Sequence, residues 1–416
     1  MKTFDPKIME MRKQEIDLQN EHSELVGNAE IEFEGETHNL EGMAPFQKDK
    51  DRSVRKRACG AKFAWYQKNA EAFDDIYDRM VKLRHKIATT LGYENFIELA
   101  YLRMGRIDYG PEEVARYRQQ IVEHVVSVVR KLHDQKKRIL GLDPLYCYDL
   151  IHFKEGNPKP KGTPEEIVLA SQETFREMSP ESGEFFDCLM DEDLLDLVNR
   201  EGKMPLGFCT AFPAYKRPYV FCNFNGTDRD VQVLFHEIGH AFQVYSSRNQ
   251  PLVDYLWATA ETSEIHSMSM EFLTWPWLEK FFGEEADRFR YMHAGRSLAF
   301  LPWGACQDHF QHWVFEHPDA TPKERKRKWL ELEAIYLPTL DCDDLEFPKS
   351  GGAWQMTQHF YQTPFYLIDY VIAQTCAFQY WVRNRENPEK TWESSLKLCQ
   401  AGGSLHFKQL LELAEL

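Results

Sequence analysis

The chain has 416 residues, 43% of them hydrophobic and 13% aromatic, enough for a substantial buried core in one large domain or two lobes. Acidic residues outnumber basic ones by 66 to 50, a net charge of −16. That balance excludes a polyanion such as DNA or RNA as partner, because phosphate binding wants a basic surface. The N-terminus, MKTFDPKIMEMRKQEIDLQN, is charged throughout with no apolar signal-peptide core, and no apolar run reaches the length of a membrane span. Nine cysteines, scattered singly without CxxC pairs, fit free thiols in a reducing compartment. The expectation is a soluble, cytoplasmic protein.

In chain order, helical periodicity dominates. Lys7 to Leu25 reads as a charged amphipathic helix, and Ala29 to Gly42 alternates apolar and polar residues around Glu34-Gly35-Glu36, the pattern of a small hairpin. Asp51 to about Ala100 predicts one or two long helices, and Pro111 opens another. Lys154 to Glu166 is the clearest loop, with three prolines and two glycines, and marks a break between subregions. Arg217 to Thr227, RPYVFCNFNGT, is the strongest strand signal; Pro218 at its start suits a strand end or an edge strand. Thr227, Asp228 or Asp230 can then cap a helix through VQVLFHEIGHAFQVYSSR. The basic cluster Lys323 to Trp329 reads as a solvated helix face. The fold class expected is mainly α, with a small β-sheet beside the helix that carries the chemistry.

That helix contains His236-Glu237-Ile238-Gly239-His240. At i and i+4 the two histidines share a face and can bind one cation, while Glu237 lies a quarter-turn round, placed to act as a base toward water. A helix with two satisfied core histidines is the plainer alternative. The uncharged residues on both sides, Val233 to Phe235 and Ala241-Phe242, suit a helix buried beside a cleft. Gly239 costs about 1 kcal/mol in a helix interior relative to alanine, which suggests that something approaches closely there. A catalytic zinc site needs a third protein ligand. The stretch WATAETSEIHSMSMEF, Trp257 to Phe272, offers Glu261, Glu264 and Glu271. Spacing alone leaves all three open, although Glu264 and Glu271 share a face at i and i+7, so that one can ligate while the other supports a histidine.

These residues resemble the thimet oligopeptidase and oligoendopeptidase F family of zinc peptidases. The family pairs HExxH with a later E-x-x-S-x-x-x-E pattern, and EIHSMSME fits with Glu264, Ser267 and Glu271 in the three places. The resemblance thus implies one zinc per chain held by His236, His240 and Glu264, with Glu271 supporting a ligand histidine and Glu261 as the fallback ligand. Two further segments match. GKMPLGFCTAFPAYKRPYVFCNFNGT is similar to the family's strand along the substrate cleft, and SGGAWQMTQHFYQTPFYLIDYVIAQ to its late glycine-rich, His/Tyr-bearing segment. There the family's histidine and tyrosines hold the substrate carbonyl. That role falls on His359, Tyr366 and Tyr370, with Tyr361 a weaker match because Pro364 interrupts the alignment, and HFY…PFY…Y is nearer the oligoendopeptidase F branch. Phe360, Phe365 and Tyr380 read as core.

The resemblance runs from about Asp51 to the C-terminus, and includes the hairpin. It implies a partial N-terminal region over 1–50, since family members carry a longer helical region before the hairpin, and a helical clamshell-like catalytic domain over 51–416, two lobes around a cleft. The implied function is hydrolysis of internal bonds in short peptides: Glu237 takes a proton from water and passes it to the departing amine, Tyr366 or Tyr370 with His359 donates to the oxyanion, and the strand near Val220 to Phe224 aligns an extended peptide. A catalytically weak peptide-binding homologue is the alternative. A di-iron carboxylate protein is disfavoured, because it needs two ExxH pairs and Glu237 to His240 is the only one.

Overall fold

The computed structural model describes residues 2–200, 203 and 206–416. It divides into two compact units, Met1–Gly156 with Gly295–Ile368, and Asn157–Ala294 with Asp369–Leu416. The first passage between them falls inside the Pro/Gly-rich loop singled out above.

In the first unit, helix Met9–Gly27 leads into strands β1 (Ile31–Phe33) and β2 (Glu36–His38), paired antiparallel. Their turn places Glu34 and Gly35 both at positive φ, 51° and 86°. Such a two-residue turn matches the twist of its flanking strands. Asp51 then starts the helix Arg52–Thr90, its side chain accepting the Ser53 N–H at 2.8 Å. The helix buries Phe73, Ile76, Tyr77, Met80 and Val81 completely or nearly so, and the Tyr77 ring lies 4.8 Å from Trp354 and 5.3 Å from Tyr361. Phe360 and Phe365 belong to this core, as expected. Helix Pro111–Gln120 opens at Pro111, continues through a π-turn at Ile121–Val125 and ends with Val126–Leu140, where Gly141 takes the left-handed cap at φ 67°.

The basic cluster differs from its reading. On helix Pro322–Tyr336, Arg325 is fully buried and pairs with Asp78 at 2.9 Å, and Lys326 pairs with Asp74 at 2.6 Å. Five basic residues in seven look like a solvated face, but a 3.6-residue period turns one of them to the core beside Trp329.

The second unit packs helices Pro164–Met178 and Pro180–Asp191 against a three-stranded sheet and the motif helix Arg229–Ser247. The strands are β3 (Leu195–Val198), β4 (Phe208–Phe212) and β5 (Arg217–Phe224), in the order β3-β5-β4. Part of the family-like segment before β5 (Gly202, Met204, Pro205) lies outside the described residues. β5 is central, parallel to β3 and antiparallel to β4, which corrects the edge-strand expectation. Pro218 is tolerated because it sits second in the strand, and both sides of Val220 and Phe221 are already paired, so no peptide can add there. β4 is an outer strand instead.

Alternate residues of β5, namely Pro218, Val220, Cys222 and Phe224, are buried. The turn from β5 into the motif helix uses Gly226 at φ 78°, and the Asp230 carboxylate accepts the N–H groups of Asn225 and Gly226 at 3.0 and 2.7 Å. Strand, turn and first helical turn are thereby tied together. Behind the helix, the rings of Phe235 and Phe242 pack on Phe281 and Phe185 at 5.2 and 5.3 Å.

Candidate metal centre

The motif helix pairs with a second helix, Ala260–Leu273, every residue of which after Ala260 is buried. Gly239 sets how close the two come. A Cβ there would lie 2.5 Å from the His266 carbonyl oxygen and 2.6 Å from the Ser267 Cα. The close approach anticipated from the glycine is therefore the glutamate-bearing helix itself.

At this crossing His236 Nε2 lies 3.3 Å, and His240 Nε2 3.4 Å, from one oxygen of Glu264. The ligand atoms of these three residues all fall within 4.8 Å of one another, so together they could hold a metal ion. Two imidazole nitrogens and one carboxylate oxygen are a donor set that suits zinc and leaves a coordination position open. Ser267 donates to the same Glu264 oxygen at 2.8 Å, which gives the serine of the E-x-x-S-x-x-x-E pattern a physical task. Glu261, one turn earlier and buried, is not among the converging residues. Seven residues after Glu264, Glu271 meets His236 from the other side, Oε1 to Nδ1 at 2.8 Å.

Burial and charge act on these groups in opposite directions. Burial pushes the Glu264 carboxyl up, but His240 and His236 outweigh it and hold the group well below the usual carboxylate range. Burial likewise raises Glu271, yet hydrogen bonds from His236 and His293 bring it down to about 2. Glu237 is different: burial raises it, and the neighbouring histidines only partly offset the rise. Glu237 also faces the sheet. A Cβ on Gly207, the residue before β4, would lie 3.3 Å from Glu237 Oε1. The outer strand thus begins beside this carboxylate.

Sequence reasoning missed three contributors. Gln232 donates to Glu271 Oε2 at 2.9 Å; it sits one turn before His236 and was reachable by the i−4 rule. His293 Nε2 lies 2.7 Å from the same oxygen, and Trp275 Nε1 donates to His293 Nδ1 at 3.0 Å. Nothing in their spacing links either to the motif.

The His/Tyr segment is divided between the units. His359 and Tyr366 belong to the first, half-buried, with rings stacked 5.7 Å apart; Tyr370 belongs to the second, on helix Leu367–Glu386. Tyr361 is fully buried and stacks on His22 at 3.9 Å, a core position. The backbone of this segment is clamped: Arg84 donates to the Phe360 and Tyr361 carbonyls at 2.9 and 2.6 Å, and Arg106 to that of Phe365 at 2.6 Å. A cavity of about 740 Å³ lined by Phe272, Trp275, Trp277, Trp381 and Trp392 lies elsewhere in the second unit, and none of the three converging residues lines it.

The chain is 24% identical over 398 residues to an oligoendopeptidase F homolog of Borreliella burgdorferi, covering 91% of this chain and 64% of the relative. It is 23% identical over 381 residues to a chromosomally encoded oligoendopeptidase F of Lactococcus lactis subsp. cremoris, covering 85% and 60%. The chain thus spans somewhat under two thirds of these relatives. Among solved structures, PZ peptidase A with an inhibitor superposes with a TM-score of 0.98 at 46% identity, over all of this chain and 74% of that one. The model of peptidase family M3 matches residues 46–416, and the chain belongs to that family.

Proposed function

We propose that this chain hydrolyses internal peptide bonds of short oligopeptides, with one zinc ion held by His236, His240 and Glu264. The observation that carries the reading is the convergence of those three residues within 4.8 Å, with Glu237 on the same helix. Zinc, when bound, supplies Lewis acidity that makes a water nucleophilic near neutral pH. Glu237 takes the proton from the attacking water on its carboxylate and returns it to the departing amine. Ser267 and Glu271 keep the ligand side chains aimed, the first through Glu264 and the second through His236.

An extended substrate pairs with the outer edge of β4, whose first residues adjoin Glu237. Backbone pairing is indifferent to side chains, which suits mixed peptides. The family resemblance assigns His359, Tyr366 and Tyr370 to the substrate carbonyl, where each donor is worth roughly 2–4 kcal/mol. We take 51–416 as the catalytic domain and 1–50 as the N-terminal region that precedes it. All nine cysteines are free, which supports a cytoplasmic setting. No helix among the described residues is long and apolar enough to cross a membrane.

Cleavage of an internally quenched peptide, with metal analysis on the same sample, tests the proposal. One zinc per chain, cleavage abolished by a chelator and restored by zinc supports it. Zinc without turnover would leave a peptide-binding protein.

A further inference from the structure

We propose that Trp275 and His293 are positioning residues that set which ring nitrogen of His236 carries the proton, acting through Glu271. The inference rests on the reading above that His236 is a metal ligand. It follows from donor and acceptor capacity along one continuous line of contacts.

An indole N–H can only donate. Trp275 Nε1 is 3.0 Å from His293 Nδ1, so that nitrogen accepts and the His293 ring proton sits on Nε2. His293 Nε2 is 2.7 Å from Glu271 Oε2 and donates to it. The same oxygen accepts from Gln232 at 2.9 Å. A carboxylate that receives two donors on one oxygen is favoured as the anion, an acceptor on its other oxygen too. Glu271 Oε1 therefore accepts from His236 Nδ1 at 2.8 Å, which puts the His236 proton on Nδ1. That leaves His236 Nε2, on the side where Glu264 and His240 converge, as the nitrogen available to a metal.

The line is held rigidly. His293 is 1% exposed, and its ring stacks on Phe272 at 4.7 Å with 23° between planes. Turning the imidazole over would set carbon atoms against the indole N–H and the Glu271 carboxylate, losing two hydrogen bonds around a ring that is 1% exposed. A single carboxylate behind a ligand histidine could lean or protonate. One that is itself anchored by an oriented histidine and a glutamine has its geometry decided in advance.

The test uses the full chain, labelled with ¹⁵N-histidine, with and without zinc. Long-range ¹H–¹⁵N spectra read the His293 tautomer in the metal-free protein and the His236 tautomer in the zinc-loaded one, and competition with a chromophoric chelator reads zinc affinity, in wild type, His293→Leu, His293→Gln and Trp275→Phe. Thermal unfolding of each metal-free variant checks the fold. The expected wild-type pattern is a proton on Nε2 of His293 without zinc, and on Nδ1 of His236 with zinc bound. His293→Leu should lower zinc affinity about 10–100-fold. His293→Gln, whose amide can accept from Trp275 and donate to Glu271, should restore most of the loss. Trp275→Phe removes only the donor and should give mixed His293 tautomers with an intermediate affinity; it carries the comparison if His293→Leu does not fold. A wild-type His293 protonated on Nδ1, or wild-type zinc affinity in both His293→Leu and Trp275→Phe, overturns the inference. A wild-type chain that binds no zinc would sink the proposed function instead, while the metal-free His293 tautomer still decides this point.

Discussion

Replacing Gly239 by alanine places a methyl carbon 2.5 Å from the His266 carbonyl oxygen and 2.6 Å from the Ser267 Cα. A comfortable carbon–oxygen contact is about 3.3 Å, so the two helices must separate by roughly 0.8 Å at this point. Both opposing atoms are backbone, and no rotamer change can relieve them. Alanine gains about 1 kcal/mol of helix propensity over glycine, against an overpacking cost of about 1–3 kcal/mol. The net effect on stability is a modest loss of up to about 2 kcal/mol. The effect on metal binding is larger, because His236 and His240 lie on one helix and Glu264 on the other, and ligand distances tolerate only about 0.2 Å. Zinc affinity should fall by tenfold or more, on the order of what loss of a supporting contact costs. Gly295→Ala is the control: it lies in helix Ala286–Glu316, and nothing lies within 4 Å of its added Cβ, so it should stabilise. Urea unfolding without metal and chelator competition with it measure the two quantities. If Gly239→Ala matches Gly295→Ala in stability and keeps wild-type zinc affinity, the close crossing is not what brings the ligands together.

Glu237→Gln should retain zinc and lose at least about 100-fold in turnover, the usual worth of a general base; substantial cleavage by the metal-loaded variant would remove Glu237 from that role. Glu264→Ala should release zinc on dialysis while Glu261→Ala should not, and the reverse result moves the ligand. In the first unit, fully buried Asp308 pairs with Arg118 and lies 3.3 Å from His312 Nδ1. Burial pushes its carboxyl up, but His312 and Arg118 outweigh that and hold it far below its ordinary value. A depressed folded-state pKa contributes stability above the unfolded value of about 3.9 and loses it as pH falls toward the folded value. Asp308→Asn should therefore cost about 3–5 kcal/mol at pH 7, and its stability should decline less steeply than wild type between about pH 5 and 3. Parallel pH profiles from urea titrations would count against the pair.

Much of the local structure was legible in residue order. The i, i+4 histidines, the hairpin at Glu34-Gly35, the caps at Asp51 and Gly141 and the break before Asn157 are features whose cause lies within a few residues. Gly239 announced a close neighbour without saying which one. The edge-strand reading of β5 failed because a proline reports only its own missing N–H and not how many partners the rest of the strand has. Arg325 failed as a surface residue for a related reason, since charge density says nothing about which face of a helix meets the core.

What the amino-acid order determined by itself is therefore everything set by helical and strand period: two imidazoles on one face, a carboxylate beside them, and a second helix rich in glutamates. Spacing left three of those glutamates open; the family pattern pointed to Glu264, and the tertiary structure brings that one to the histidines. Glu261 and Glu264 are three residues apart on one helix, and only the crossing at Gly239 brings the second within 3.4 Å of both histidines. It also decided that Trp275 and His293 stand behind Glu271. The physical reason is that rise and turn per residue are properties of the backbone, whereas the distance between two helices is set by the side chains each lacks or presents where they meet.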